Sequence, residues 1–112
     1  MRLEDGTLVT GNNQENAAYP SGLCAERTAI FAAHAAHPDK AIVAIAVTAK
    51  IDGKLIPTIC RPCGSCLQVM AETQDRHNTP LRIIMDGASG IEIVNGIDTL
   101  LPFRFKGSDL TG

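Results

Sequence analysis

With 112 residues, 45% of them hydrophobic and 20% charged, the chain has the make-up of one folded domain over residues 1–112 and not of a disordered or low-complexity segment. Its formal net charge of −2 and the lack of any Lys/Arg run exclude the electrostatic footprint of a nucleic-acid or anionic-membrane binder. No apolar run approaches the ~18 residues of a membrane span, and Met1-Arg2-Leu3-Glu4-Asp5-Gly6 lacks the apolar core of a signal peptide, so the expectation is a cytoplasmic protein with a small or neutral ligand.

Asp5-Gly6 marks a turn, and Thr7-Leu8-Val9-Thr10 after it a short strand, with Met1-Arg2-Leu3 expected to pair back onto it. Residues 24–36 carry Ala25, Ala29, Ile30 and Ala33 at three- and four-residue spacing, which predicts a helix whose alanines allow close packing on a sheet. Pro38 ends it. The run Ala41 to Val47 is apolar on both faces, as in a central strand covered on both sides.

Asp52-Gly53 marks another turn, and a Pro-containing loop through Pro57 and Pro62 leads to a second helix from about Gly64 to Arg76. Leu81–Met85 and Ile91–Val94 flank a Gly-rich loop and read as two strands, followed by a short helical turn near Ile97–Leu101. The sum is an α/β layered domain.

Of four cysteines, Cys60, Cys63 and Cys66 fall within seven residues, a poor layout for disulfides and a common one for metal. Cys63-Gly64-Ser65-Cys66 puts two thiols one turn apart at a helix start, where free amides and the helix dipole favour thiolates. Cys24 opens the other helix. If both helices lie side by side on the sheet, three thiolates converge on one point, and a tetrahedral Zn²⁺ held there keeps one position open, the mark of a catalytic site. Glu26, two residues on, is placed to carry protons to and from a reacting group. Arg27 is placed to donate to the sulfurs and offset their negative charge.

Each fragment alone has a plainer reading. A lone Cys in an Ala-rich helix is a core residue, a lone C-x-x-C a redox pair or zinc knuckle, and Glu26 and Arg27 surface charges. Cys60 also permits a closed structural module with four thiolates. The combination of Cys-Ala-Glu with Pro-Cys-x-x-Cys is far more restrictive and is the signature of zinc deaminases.

Four segments carry a family resemblance: Gly11 to Pro20, Cys24 to Ala29, Pro62 to Val69, and Leu100-Leu101-Pro102 with Phe105. Through them the chain resembles the small homotetrameric zinc-dependent cytidine deaminases that act on free nucleosides. It departs from that pattern at Leu67, where the family has Arg. It also begins at what reads as the tail of the first strand, so an N-terminally shortened form is expected, lacking the usual N-terminal helix and the strand whose Phe packs on the base.

The resemblance implies a three-layer sandwich with a mixed, mainly five-stranded sheet, and a homotetramer in pyrimidine salvage that hydrolyses cytidine and deoxycytidine to uridine and deoxyuridine. It places Zn²⁺ on Cys24, Cys63 and Cys66, Glu26 as proton carrier and Arg27 behind the sulfurs. Asn13 and Glu15 would hold the ribose hydroxyls, Ala25 would contact substrate, and Tyr19 and Phe105 would reach toward a neighbouring subunit's site. The base pocket is expected to have apolar and aromatic walls. Alternatives are a deaminase of another aminated heterocyclic nucleoside and a folded but inactive zinc-binding interaction subunit.

Overall fold

The computed structural model describes residues 1–111. The Ala-rich stripe forms helix α1, Ala25–Ala36, which buries Ala29, Ile30 and Ala33 and is terminated at His37 just before Pro38. The apolar run forms β2, Ile42–Val47. It is preceded by a two-residue strand β1, Arg2–Leu3.

After β2, Asp52 and Gly53 take the positive φ values of 51° and 76° that close a tight hairpin, β3 at Lys50–Ile51 and β4 at Lys54–Leu55. Helix α2 spans Gly64–His77 and stops where Asn78 turns left-handed at φ 48°, its N–H meeting the last carbonyls. Strands β5, Arg82–Gly87, and β6, Gly90–Asn95, follow as a hairpin.

The main sheet has the order β1-β2-β5-β6, with β2 and β5 parallel and α2 as the crossover, and both outer pairs antiparallel. This mixed sheet has four strands among the described residues, not five, because β3 and β4 pair only with each other. The segment Thr7–Thr10 is likewise not a full strand: Leu8 bridges Arg2, and Val9 exchanges backbone bonds of 2.9 and 3.0 Å with Met1. The expected helical turn at Ile97–Leu101 is one hydrogen-bonded turn, with the Leu100 and Leu101 N–H groups donating to the Ile97 carbonyl at 3.0 and 2.9 Å, and a further short helix, α3, Ser108–Thr111, follows it.

Strand alternation decides where the core lies. Leu81, Ile83 and Met85 are fully buried with Ile30 and Ala33 of α1 and Cys66, Met70 and Ala71 of α2. Arg82, Ile84 and Asp86 point to the opposite face. Register places Ile93 beside Ile84 and Ile91 beside Asp86, and both isoleucines are exposed, as is Leu8 nearby. Among the described residues the domain therefore has one helical layer on one sheet face, rather than helices on both.

Both long helices begin at the carboxyl end of β2. Val47 and Thr48 line one cavity with the first residues of α1 and the loop that enters α2, and such a convergence is where open α/β sheets place their ligands.

Candidate active site

Cys24 and Cys63 are the N-cap residues of α1 and α2, and Cys66 lies one turn into α2. The Cys24 and Cys63 sulfurs are 3.7 Å apart and those of Cys63 and Cys66 3.5 Å apart, with all three within 4.8 Å of one another. Thiolates at about 2.3 Å from a tetrahedral zinc stand about 3.8 Å from one another. The trio thus fits a zinc ion while supplying only three of its four ligands. Cys66 is fully buried, Cys24 half-buried and Cys63 exposed, so the open side of the group faces outward.

The electrostatics of the three differ. Backbone amides of the first turn of α2, that of Cys66 foremost, face the Cys63 sulfur and draw its pKa below the usual thiol value. Burial pushes the Cys66 thiol well up, and the Arg27 guanidinium opposes that shift. Arg27 Nη2 donates to Cys24 Sγ at 3.5 Å. Cys24 first, then Cys66, holds the Arg27 proton even more firmly than usual. A cation among the sulfurs would remove their protons outright.

Cys60 stands outside the sulfur group that could hold a metal. Its N–H donates to the Asp86 carbonyl at 2.9 Å, which ties the loop to the end of β5. Burial, and then the nearby Glu26 carboxylate, raise the Cys60 thiol pKa. The arrangement disfavours a closed four-thiolate module.

Glu26 is one of two buried polar side chains among the described residues. It lines a cavity of about 580 Å³ together with Asn13, Cys24, Ala25, Cys60 and Cys63. That volume lies in the range of small-molecule sites. Val47 supplies an apolar wall, but no aromatic side chain lines this cavity among the described residues, contrary to expectation. A second cavity of about 300 Å³ is bordered by Asn13, Glu15, Tyr19, Cys24 and Arg27. Asn13 and Cys24 belong to both, so the two open onto the same side of the sulfur group.

The structure thus brings together Cys24, Cys63, Cys66, Glu26, Arg27, Asn13, Ala25, Glu15 and Tyr19. Phe105 is not among them. It is about half exposed, and its carbonyl accepts a bond of 3.0 Å from Gln68 on α2. Tyr19 is 86% exposed on a short 3₁₀ turn, Tyr19–Ser21, and so has little of this chain to rest on. Leu67 packs partly buried against the core, so the position where the resemblance calls for Arg contributes apolar contact and no charge.

One contact was not anticipated: Asn13 Oδ1 accepts the Ala25 N–H at 2.9 Å. Asn is a preferred capping residue, and that preference was the one signal in the sequence. Its partner lies 12 positions away, outside the range in which caps are recognised locally.

Residues 2–79 match the cytidine and deoxycytidylate deaminase zinc-binding region. The chain is 46% identical over 72 residues to a cytidine deaminase of Halalkalibacterium halodurans, a match covering 64% of this chain and 50% of that protein. It is 36% identical over 111 residues to a cytidine deaminase of Sporosarcina psychrophila, covering 99% of this chain and 75% of that one. Among solved structures, cytidine deaminase from Burkholderia pseudomallei aligns with a TM-score of 0.72 at 32% identity, covering 93% of this chain and 76% of that one. The enzyme from Mycobacterium leprae aligns at 0.54 and 28%, covering 90% and 73%.

Proposed function

Because this chain belongs to the cytidine and deoxycytidylate deaminase family, we propose that it hydrolyses free cytidine and deoxycytidine, with one water consumed and ammonia released, to give uridine and deoxyuridine. The observation that carries the reading is the buried Glu26 carboxylate on the wall of a cavity that also receives Cys24 and Cys63. Proton carrier and metal ligands share one ligand-sized space.

Cys24, Cys63 and Cys66 would hold zinc, with Arg27 offsetting the charge of the sulfurs. The ion, when bound, supplies a Lewis acid that makes water nucleophilic near neutral pH. Glu26 moves the protons. It takes one from the attacking water, gives it to N3 of the cytosine ring as the C4–O bond forms, and passes a second to the amino group as the C4–N bond breaks. Each proton leaving water ends on the ring or on ammonia, so the carboxylate is regenerated.

The base occupies the larger cavity, where Val47 gives it an apolar wall and the first turn of α1, with Ala25, lies beside it. The sugar extends into the smaller cavity, where Asn13 and Glu15 meet its hydroxyls. The exposed Leu8, Ile91 and Ile93 on the helix-free face of the sheet favour burial in a homo-oligomer, a tetramer by resemblance, acting in the cytoplasm in pyrimidine salvage. Tyr19 and Phe105, both exposed, are free to reach a neighbouring site in such an assembly.

Incubating the zinc-loaded protein with cytidine and measuring ammonia together with the loss of cytidine absorbance tests the reaction. Equimolar ammonia and uridine are expected. Zinc binding without ammonia release from cytidine or deoxycytidine would contradict the proposal and leave an interaction subunit or a deaminase of another heterocycle.

A further inference from the structure

Cys24 occupies the N-cap position of α1 but makes no side-chain capping bond. Its sulfur is turned toward Cys63 and Arg27 instead. An N-cap side chain normally accepts the N–H of the second or third helical residue, here Glu26 or Arg27, and the N–H of the first is left to find another partner. That first N–H, of Ala25, is accepted by Asn13.

Two further features fix Asn13 in that place. Gln14 and Leu23 exchange backbone bonds of 2.9 and 2.8 Å, which close the intervening loop and bring Asn13 and Cys24, the residues flanking this bridge, side by side. Gly11 lies so close to α1 that a Cβ there would stand 2.8 Å from the Ala25 carbonyl oxygen and the Ala29 nitrogen. The loop is therefore seated on the first turn of the helix, and Asn13 enters both cavities from it.

We propose that Asn13 is a positioning residue of the metal site: its Oδ1 holds the first N–H of α1, and the loop that meets the sugar thereby also sets the turn bearing Cys24 and Glu26. One lone pair of Oδ1 is engaged while both Nδ2 hydrogens are uncommitted, so Asn13 meets the sugar chiefly as a donor to an oxygen. This last point rests on the proposed nucleoside site. The capping role does not.

The test measures zinc affinity by chelator competition for wild type, Asn13→Ala and Asn13→Asp, the last retaining an acceptor oxygen but no donor. Asn13→Ala is expected to weaken zinc binding about tenfold, the size of a lost cap, and Asn13→Asp to stay within about twofold of wild type. Unchanged affinity in Asn13→Ala overturns the proposal, and so does an equal loss in both variants. In the deamination assay, Asn13→Asp is expected to raise KM, and Asn13→Ala to lower kcat as well. Absence of any deamination would defeat the nucleoside reading and leave the zinc measurements to judge the cap.

Should Asn13→Ala not fold, amide exchange in the wild-type protein decides. First-turn amides lack intrahelical partners, so a slowly exchanging Ala25 N–H supports the cap and exchange at the free-peptide rate overturns it.

Discussion

Cys24 and Cys63 lie 39 positions apart in the chain, yet their sulfurs are 3.7 Å apart. The separation is that of two ligands on one tetrahedral zinc. It arises because each cysteine occupies the N-cap position of a helix, and the two helices pack side by side on the same sheet face. Metal chemistry is thus built into the packing of α1 on α2 and does not depend on a flexible loop.

Cys60 and Cys63 should behave differently although only two residues separate them. Cys60→Ser is expected to keep one zinc per chain, because Cys60 stands outside the sulfur group. Cys63→Ser removes one of the three sulfurs grouped to hold the ion and should lose the metal. Elemental analysis after gel filtration reads both, and loss of zinc from Cys60→Ser would revive the closed four-thiolate module.

Gly11→Ala forces a methyl group against backbone atoms that cannot turn aside, since its Cβ would stand 2.8 Å from both the Ala25 oxygen and the Ala29 nitrogen. Overpacking of this kind costs about 1–3 kcal/mol. A melt of the variant should show that loss, and a transition indistinguishable from wild type would mean that the loop is not seated on α1 as described.

Stability should also fall in mild acid through His34. Burial, and after it the positive charges of Arg76 and His77, hold the His34 pKa below its ordinary 6.5. The unfolded chain therefore takes up this proton more readily than the folded one. The sign is that of a group favouring folding when neutral: its contribution is intact above about pH 6.5 and is lost as the pH falls from there toward the lowered folded value. Denaturation midpoints between pH 7 and 5 should decline more steeply for wild type than for His34→Gln. Parallel declines would show that His34 takes no part.

Much of this was legible from local signals. Ala29, Ile30 and Ala33 announce α1 because helical spacing is a property of neighbours in sequence, and the apolar run 42–47 announces a buried strand. The thiol trio was legible because two of its members share a turn and the third sits at a second helix start. What was not legible depends on distant pairings. Asp52-Gly53 signals a turn, but nothing nearby says that the strands around it pair only with each other and leave the main sheet at four. The second helical layer was expected from resemblance, and the pattern on β6 could not show that Ile91 and Ile93 would lie exposed. Asn13 was recognised as polar loop chemistry, while its capping of Ala25 is created by the Gln14–Leu23 bridge.

The central claim, that Glu26 moves protons beside a zinc held by Cys24, Cys63 and Cys66, is tested most directly by Glu26→Gln, assayed for zinc content and for ammonia release from cytidine on one preparation. The amide keeps the shape of the side chain and removes its capacity to carry a proton. The account predicts one zinc per chain, an unchanged fold, and turnover lower by about 10²- to 10⁴-fold, the range for a general acid–base group. Near wild-type deamination by zinc-loaded Glu26→Gln would contradict it.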